Sequence, residues 1–450
     1  MAQSTTNDFE DITKFDVIQL LHEKCLDSVT EYIFSLLNIS CLKAAETVSK
    51  LWYSIIKKEK IWEKQYGKLN FKDSALSLLL QRRISEGFNI VDDEFLPKRL
   101  LNAYEKVQMN WTTGKNLKKM VKVGHCSRFI MDSNRIIVIE STLSVTMWNR
   151  WTLEAEDLPV QSDNTLSELT HLDLSEDLLF CSYRDGTIVA WDITKKNILY
   201  QFTDEIMSGF DLKIHIAHGL LVSFKTVAGD DWGCNQTMFS VRSLKTPSNI
   251  VTQEVTNRIP CARVKDVTSD DNYFIVFLFC SNHCVVSPDD FKIQLRSVNI
   301  FEVLREICGI MSSNEIFSYF KGWLVAGLTS VRVWDIEKGI CQYTIPAAFD
   351  NSNEYEMQVA DVQLDGEHLI IRDTSGIFTV WRFMTTNKQS IIPSKERINL
   401  LSSTSVTLSG ERMKRGYQKF KFDHLQIVSV HTEEDDLNGP CDLLTIRNFF

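Results

Sequence analysis

Residues 169–193 read LTHLDLSEDLLFCSYRDGTIVAWDI, and this stretch determines the fold that we predict. Apolar residues recur along three short runs, and Asp185-Gly186 supplies a tight turn between the second run and the third. Apolar side chains occupy both faces of the third run, residues 188–193. A strand of this kind is covered on both sides, as it is inside a stack of sheets.

Comparable strands recur after Trp111, where the apolar period changes from helical to alternating. They resemble the WD repeat, whose mark is a Trp-Asp pair at the end of the third strand of a propeller blade. The seven candidates for third strands are residues 145–148, 188–193, 239–242, 293–296, 331–335, 378–381 and 444–447. Their spacing of about 40 to 65 residues compares with a repeat period of roughly 40 to 45. The count predicts a seven-bladed β-propeller.

Two parts of the predicted propeller depart from the WD pattern. The candidates around Arg242 and Arg296 lack the Trp-Asp pair, and the Gly-His pair that opens a WD repeat is clear only at Gly124-His125. Residues 385–422 form a polar, Ser- and Lys-rich insertion, which we interpret as a solvated surface loop. Its basic residues are Arg412, Lys414, Arg415, Lys419 and Lys421.

The last blade lacks a fourth strand, because only a few residues follow the last candidate for a third strand. An unpaired sheet edge at that place would invite unwanted strand pairing. Residues 115–123 alternate in polarity just before the first blade. We therefore expect this segment to supply the missing strand and to close the ring.

The N-terminal part of the chain has helical periodicity instead. Two apolar runs with helical spacing lie between residues 26 and 55, and a capping box of Ser28 and Glu31 is expected to open the first helix. Asn38 and Ser40 mark the turn into the second helix. A module this small buries only part of its apolar surface by itself, so its helix faces require a neighbouring domain or a partner protein.

The order of residues in these helices resembles the F-box, and within that family the beta-TrCP group. The matching elements are Leu26-Asp27, residues 33–37 (IFSLL), 44–46 (AAE) and 48–53 (VSKLWY), Ile61-Trp62, residues 96–98 (LPK) and Asn110-Trp111. An ordinary helical bundle is the alternative interpretation of the first helices. The resemblance implies an α+β chain, mainly β, with an N-terminal extension (1–24), an F-box (25–66), a helical linker (67–114) and a WD-type propeller (115–450).

The resemblance also implies a function, that of the substrate-recognition subunit of an SCF-type cullin-RING ubiquitin ligase. The F-box would bind a Skp-type adaptor, the adaptor would bind the cullin-RING core, and the propeller would hold a target protein for ubiquitin transfer. The residues expected to bind the adaptor are Leu26, Ile33, Leu37, Leu42, Val48 and Trp52, with Trp62 shared between the F-box and the linker. Some of these side chains must pack internally, and the sequence does not separate the two sets.

Arginines are the expected target contacts, because the resemblance implies a propeller face that receives a doubly phosphorylated motif and guanidinium binds phosphate bidentately. Arg184 precedes Asp185 where one such arginine would lie, and Arg372 precedes Asp373 in a looser match. The corresponding part of the first blade reads Glu140-Ser141-Thr142, so an expected arginine is missing there. Exposed turn arginines without a target, and an unphosphorylated target, are alternatives that the sequence leaves open.

Composition excludes several classes of protein. The formal net charge of -10 argues against broad binding to nucleic acids or anionic membranes. We find neither a signal peptide nor an apolar run long enough to span a membrane, and we expect a cytoplasmic or nuclear protein. The 11 cysteines are scattered without a repeat, and Cys280, His283 and Cys284 lack the fourth ligand that zinc normally requires. We therefore expect no metal or other cofactor.

Catalytic motifs are also missing, since the sequence contains no phosphate-binding loop, nucleophile elbow or zinc-protease helix. Asp185, Asp192 and Asp335 lie at turns or strand ends, where a structural role is expected. We predict a non-catalytic receptor; a non-ligase propeller scaffold is the second hypothesis, and a propeller enzyme is the third. We expect a monomer, although an apolar patch could still pair. That patch comprises Phe15, Val17, Ile18, Leu20 and Leu21.

Overall fold

The structure is a computed structural model of the 450-residue chain. It describes residues 16–70, 74–88, 93, 95–113, 115–124, 126–140, 145–158, 169–203, 212–228, 235–245, 250–255, 262–280, 291–308, 316–327, 330–346, 359–365, 368–373, 378–382, 384–386, 390–392, 420–435 and 439–450. These residues divide between two compact units, and each unit is described by itself. The first contains Met1–Asn116 with Phe449–Phe450, and the second contains Leu117–Asn448.

The first unit is helical. Its described helices are α1 (Val17–Glu23), α2 (Asp27–Leu36), α3 (Ile39–Val48), α4 (Lys50–Lys58), α5 (Ile61–Asn70), α6 (Ser74–Ser85) and α7 (Leu96–Thr113). No helix among the described residues combines the length and the apolar character needed to cross a bilayer.

Polar side chains open three of these helices by accepting otherwise unpaired backbone N–H groups. The Asp16 side chain accepts from the first turn of α1, Asn38 accepts from Cys41 at the start of α3, and Ser49 accepts from Trp52 at the start of α4. The prediction for α2 is wrong in detail. Leu26 is its N-cap residue and makes no side-chain cap, and Ser28 lies inside the helix.

The core of the helical unit extends to the last two residues of the chain. The Phe449 ring is buried and stacks on Trp111, with centroids 3.9 Å apart and planes 8° from parallel. Asn110 Nδ2 donates a 2.9 Å hydrogen bond to the Phe449 carbonyl oxygen, and the Arg82 guanidinium lies over the Phe450 ring. These contacts make Phe449 and Phe450 part of the helical unit.

The second unit is a seven-bladed β-propeller. The strand β1 (Leu117–Val123) precedes the first blade. Blade one contains β2 (Cys126–Met131), β3 (Arg135–Glu140), β4 (Val145–Asn149) and β5 (Ala155–Leu158). Blade two contains β6 (Leu169–Ser175), β7 (Leu178–Tyr183), β8 (Thr187–Asp192) and β9 (Asn197–Thr203). Blade three contains β10 (Lys213–Ala217), β11 (Leu220–Ala228), β12 (Asn235–Ser243) and β13 (Ile250–Val255). Within each of these sheets, consecutive strands pair antiparallel.

The remaining four blades complete the ring. Blade four contains β14 (Ala262–Ser269), β15 (Tyr273–Cys280), β16 (Phe291–Ser297) and β17 (Val303–Cys308). Blade five contains β18 (Ile316–Phe320), β19 (Trp323–Gly327), β20 (Ser330–Asp335) and β21 (Ile340–Pro346). Blade six contains β22 (Val359–Leu364), β23 (His368–Asp373) and β24 (Phe378–Arg382). The seventh blade has β27 (Phe420–Phe422), β28 (Gln426–Asp435) and β29 (Gly439–Asn448). All seven predicted third strands coincide with the third strand of a blade, including those of blades three and four, which lack the Trp-Asp pair.

The N-terminal strand closes the ring, as predicted. β1 pairs antiparallel with β29 from Leu117 opposite Asn448 to Val123 opposite Asp442. It therefore serves as the outer strand of the seventh blade, whose sheet has the order β1-β29-β28-β27. Pairing with β1 covers the edge of β29 that would otherwise be open.

Apolar side chains fill the boundaries between neighbouring blades. Ile137 and Val145 of blade one pack with Leu172 and Trp191 of blade two in one such cluster. Similar clusters join blades two and three, three and four, four and five, five and six, and seven and one. The apolar residues on strand faces that meet a neighbouring blade are thus explained by the stacking of sheets.

The predicted insertion, residues 385–422, is only partly described. A hairpin of β25 (Met384–Thr386) and β26 (Ser390–Ile392) lies at its start, and β27 already belongs to the seventh blade. Lys421 is exposed on β27. Several residues singled out in the sequence lie outside the described residues, namely Phe15, His125, Ser141, Thr142, His283, Cys284, Arg412, Lys414, Arg415 and Lys419.

Candidate functional site

The residues predicted to bind an adaptor differ in their exposure. Leu26 at the start of α2 and Val48 at the end of α3 are exposed, whereas Leu42 is fully buried. Ile33, Leu37 and Trp52 are half-buried. A surface contact is therefore open to Leu26 and Val48, while Leu42 belongs to the internal core that supports them.

An exposed apolar stripe on α2 was not among the predicted residues. Val29, Tyr32 and Leu36 expose 41%, 63% and 66% of their surface, respectively. Their spacing of three and four residues places them on one face of the helix. We call these three side chains the α2 stripe. The helical spacing in the sequence was compatible with this face, but spacing alone does not tell which face of a helix is covered by its own domain.

The opposite face of α2 is held by α4. The buried Phe34 ring meets the Trp52 ring edge-on, with centroids 5.4 Å apart. The Trp52 indole nitrogen donates a 2.9 Å hydrogen bond to Asp16 Oδ2, the residue that also caps α1. Trp52 therefore packs mainly inside the helical unit, and it holds α2 in an orientation in which the α2 stripe faces outward.

Glu46 joins the F-box-like helices to the predicted linker. Trp62 Nε1 donates a 2.8 Å hydrogen bond to Glu46 Oε1, and Lys98 Nζ lies 2.5 Å from Glu46 Oε2. The Lys98 ammonium also lies over the Trp62 ring, 5.5 Å from its centroid. The side chains of Trp62 and Lys98 thus converge on the carboxylate of Glu46, and the buried Trp62 contacts both α3 and α7.

The helical unit also fixes the C-terminal end of α2. Gln65 Nε2 on α5 donates to the carbonyl oxygens of Ser35 at 2.7 Å and Leu37 at 3.0 Å. These carbonyls have no partner within the helix, because a helix leaves its last carbonyl groups unpaired. The stripe is therefore presented on a helix that is tied to α5 at its C-terminal end, and a partner would meet a preorganised surface.

On the propeller, Arg184 is exposed at the turn between β7 and β8. The turn is held by Asp185 Oδ1, which accepts a 2.9 Å hydrogen bond from the Thr187 backbone nitrogen. Gly186 has φ +89°, a value that side-chain-bearing residues rarely adopt, so glycine is required there. Arg184 thus lies on a rigid turn, accessible to a target.

Arg372 occupies a different environment, because only 7% of it is exposed. It lies on β23 directly opposite Asp361 of β22. Burial lowers the pKa of the Arg372 guanidinium, while the charges of Asp361 and Asp373 oppose that shift. Burial likewise raises the pKa of the Asp361 carboxyl group, and Arg372 opposes it. The charge of Arg372 is therefore balanced by two carboxylates of the same blade, those of Asp361 and Asp373.

A third arginine, Arg128, was missed in the sequence. It lies on β2, the first strand of blade one, and is half-buried. Burial lowers the pKa of its guanidinium, and the charges of Asp266 on blade four and Asp173 on blade two oppose the shift. Three first strands contribute to this group, which combines one guanidinium with two carboxylates.

The aspartates that we interpreted as structural are confirmed as turn residues. Asp192 Oδ1 accepts from the Lys195 backbone nitrogen at 2.9 Å, and Asp335 Oδ1 accepts from that of Lys338 at 3.0 Å. Their second carboxylate oxygens pair with the side chains of the same lysines. These aspartates hold the turns between the third and fourth strands of blades two and five.

Comparisons with known proteins identify no family. No protein-family model matches the chain, and no curated protein matches it. Among solved structures, the chain is similar to the computationally designed Ika8 protein, with 16% identity and a TM-score of 0.43 over 71% of this chain and 86% of that one. It is also similar to the β-propeller domain of Myceliophteria thermophila Cps50 (Swd1), with 11% identity and a TM-score of 0.46 over 73% of this chain and 99% of that one. The second unit contains seven sheets that each form one blade, and it is therefore a seven-bladed β-propeller.

Proposed function

We propose that this chain is the non-catalytic substrate-recognition subunit of an SCF-type cullin-RING ubiquitin ligase. The helical unit would bind a Skp-type adaptor and thereby the cullin-RING core, and the propeller would bind a target protein. Ubiquitin transfer would occur on the other subunits, while this chain would raise the local concentration of the target. The propeller fold is compatible with such a receptor and also with a protein-interaction scaffold.

The observation that carries the proposal is the α2 stripe. A helix that presents apolar side chains at positions i, i+3 and i+7 is suited to a groove or helical face on a partner. Leu26 adds exposed apolar surface at the start of α2, and Val48 adds it at the end of α3. Burying a Leu or Tyr side chain contributes roughly 1.5–3 kcal/mol, so a few such residues can dominate an interface.

Glu46 provides the second support. The residues with which it interacts, Trp62 and Lys98, belong to stretches on which the F-box resemblance rests. A packed helical bundle of unrelated origin has no need to place these three residues together. Their convergence favours an F-box with its linker over an ordinary bundle.

For the target, Arg184 is the proposed propeller contact. Arg372 faces Asp361 and Asp373, and Arg128 lies in the field of two further carboxylates. A phosphorylated motif would therefore have to displace these carboxylates in order to engage either buried arginine. We propose a protein target that contacts the exposed turn at Arg184, without an absolute need for phosphate.

The test is co-purification of the full chain with a Skp-type adaptor and a cullin. The informative variant is Leu36→Asp, because Leu36 is 66% exposed and a charge there leaves the core intact. Ile84→Asp is the matched control, since Ile84 is also apolar, helical and 51% exposed but lies on α6. Circular dichroism and thermal melting would verify that each protein is folded.

The proposal predicts that the native chain and Ile84→Asp recover the adaptor and that Leu36→Asp does not. If the folded native chain recovers no adaptor, the ligase assignment is wrong and a non-ligase propeller scaffold takes its place. If Leu36→Asp binds as well as the native chain, the adaptor does not use the α2 stripe.

A further inference from the structure

Two turns of neighbouring blades bring a carboxylate and two imidazoles together. Asp365 follows β22 and His368 begins β23 in blade six, and His424 lies between β27 and β28 in blade seven. Asp365 Oδ2 is 3.4 Å from His368 Nδ1 and 3.6 Å from His424 Nδ1. One potential ligand atom from each residue can be chosen so that all three lie within 4.8 Å of one another. We call these residues the histidine cluster.

The same turn in other blades provides an internal comparison. In each case the first carboxylate oxygen of an aspartate accepts a backbone N–H, and the second oxygen meets a strong donor. The second oxygen of Asp132 is 3.0 Å from Arg135 Nε, that of Asp423 is 2.5 Å from Arg150 Nη2, and that of Asp270 accepts from the Tyr319 hydroxyl group. These are hydrogen-bond distances.

Blade six departs from this pattern in its partners and its distances. Asp365 Oδ1 accepts from the His368 backbone nitrogen at 2.7 Å, as in the other turns. Its Oδ2 faces two imidazoles at 3.4 and 3.6 Å, which is long for a hydrogen bond. Ligands bound tetrahedrally at 2.0–2.1 Å from zinc are separated by about 3.4 Å. The two distances therefore match the edges of a tetrahedral metal site.

The chemistry of the three side chains fits the same ion. Imidazole nitrogen and carboxylate oxygen are both zinc ligands, and imidazole also suits copper and nickel. His368 and His424 are 1% and 5% exposed, and the Asp365 side chain is only 11% exposed. This burial holds the rings in place. Their centroids are 5.7 Å apart, with planes at 70°, so both rings can direct a nitrogen to one point.

We propose that Asp365, His368 and His424 bind a divalent transition-metal ion, with zinc as the ion that we would test, and that this ion links the sixth blade to the seventh. Solvent would complete a four-coordinate site. The contacts between blades six and seven include the Phe378 and Phe420 rings, whose centroids lie 5.2 Å apart. A metal ion bound by ligands from both blades would resist separation of the blades near the place where the ring closes.

The experiment uses the full chain, stripped with a chelator and then titrated with zinc chloride by isothermal titration calorimetry. We expect one zinc per chain and a melting temperature that rises with free zinc, because an ion that binds the folded state stabilises it. Asp365→Asn should retain the turn, since an amide oxygen can still accept the backbone N–H, but it should weaken zinc binding. His424→Ala should weaken zinc binding at least about 10–100-fold, because the loss of an outer-shell partner alone weakens metal binding by that factor.

The control variant is His215→Ala. His215 Nδ1 is 3.2 Å from Asp173 Oδ2, so this histidine also faces a carboxylate between blades, but among the described residues it belongs to no group of three potential metal ligands. Zinc binding should be unchanged in that variant. X-ray absorption of the zinc-loaded native chain gives a readout that does not depend on variants, and it should report nitrogen and oxygen ligands without sulfur.

Three outcomes would overturn the proposal: a folded native chain that binds no zinc, binding that is as strong in His424→Ala as in the native chain, or sulfur in the zinc coordination shell. The last would assign the ion to cysteines. None of these measurements involves the adaptor, so the metal site and the ligase function can fail separately.

Discussion

Arg150 Nη2 lies 2.5 Å from Asp423 Oδ2, and this ion pair joins the first blade to the seventh. The Arg150 side chain is fully buried, its Nε donates to Gln426 Oε1 at 2.6 Å, and its Nη1 donates to the Asp132 carbonyl oxygen at 2.8 Å. Gln426 in turn donates to Asn448 Oδ1 at 2.6 Å. The ring is therefore closed by a polar network in addition to the pairing of β1 with β29.

We predict that Arg150→Met destabilises the propeller by about 3 kcal/mol, the lower end of the cost of breaking a buried ion pair from one side. The methionine fills part of the volume, but it leaves Asp423 and Gln426 without their donor. The measurement is urea-induced unfolding followed by tryptophan fluorescence. Lys196→Met is the control, because its ion pair with Glu156 is exposed and should contribute at most about 1 kcal/mol.

The double variant Arg150→Met/Asp423→Leu tests whether the ion pair itself is responsible. Removing both charges should recover part of the lost stability, since the penalty comes mainly from the unpaired carboxylate. If the double variant is less stable than Arg150→Met, then Asp423 matters chiefly for the backbone turn that it holds through the Leu425 and Gln426 nitrogens.

Leu42 and Leu36 should have opposite roles in the helical unit. Leu42→Ala removes a fully buried side chain and should cost about 2–5 kcal/mol of stability. Leu36→Ala should leave stability within about 0.5 kcal/mol but weaken adaptor binding by roughly tenfold or more. Thermal melting and adaptor titration on both variants distinguish the two effects. Equal stability losses would mean that Leu36 is covered within the chain.

Substitutions of Arg184 and Arg372 should also differ in their effect on propeller stability. Arg372→Ala removes one of the two cations, Arg372 and Lys421, that oppose the cost of burying Asp361, and it should cost about 3 kcal/mol of propeller stability. Arg184→Ala should change stability by less than about 0.5 kcal/mol, because it is an exposed turn residue. Chemical denaturation provides the measurement. We further expect Arg184→Ala to lose target proteins that the native chain recovers from lysate, and phosphatase treatment of the lysate to have a smaller effect.

Cysteine reactivity should follow burial. Cys25, Cys41, Cys308 and Cys341 are exposed, whereas Cys181 is buried between blades one and two. Burial strongly raises the pKa of the Cys181 thiol, so that it lacks the reactive thiolate at neutral pH. Iodoacetamide at pH 8 should label the four exposed thiols of the native chain and label Cys181 only after denaturation, as read by peptide mass spectrometry. Rapid labelling of Cys181 in the folded chain would contradict this packing.

Much of the propeller was predictable because its signal is local and repeated. A third strand such as β8 carries its own alternation, its own turn at Asp185-Gly186 and a closing Trp-Asp pair, so each blade can be recognised separately. Blades three and four lack that pair, yet Phe239 and Val241 of β12 pack into one cluster between blades, and Ile293 and Leu295 of β16 pack into another. The closing role of β1 also followed from the sequence, since the last blade would otherwise have had an open edge.

The sites were less predictable, because they depend on which face is covered and on residues that are distant in the chain. Leu36 and Leu37 are adjacent and chemically identical, and only the position of Phe34 against Trp52 decides that Leu36 is the outward one. The capping box failed because α2 begins at Asp27, before Ser28. The histidine cluster escaped notice because Asp365 and His368 are near one another in sequence, but His424 comes from the next blade.

The pairing of β1 with β29 has a consequence for synthesis on the ribosome. Cys126, just after β1, and Asp442 of β29 are 316 residues apart, so at 5–20 residues per second the partner strand emerges roughly 15 to 60 s later. During that interval β1 must remain unpaired without recruiting another chain. Its sequence, LKKMVKV, contains Lys118, Lys119 and Lys122, and lysines are a common protection of exposed strand edges. The lysines on the outer strand of the finished seventh blade thus also suit the nascent chain, which has to keep one strand soluble until its partner has been made.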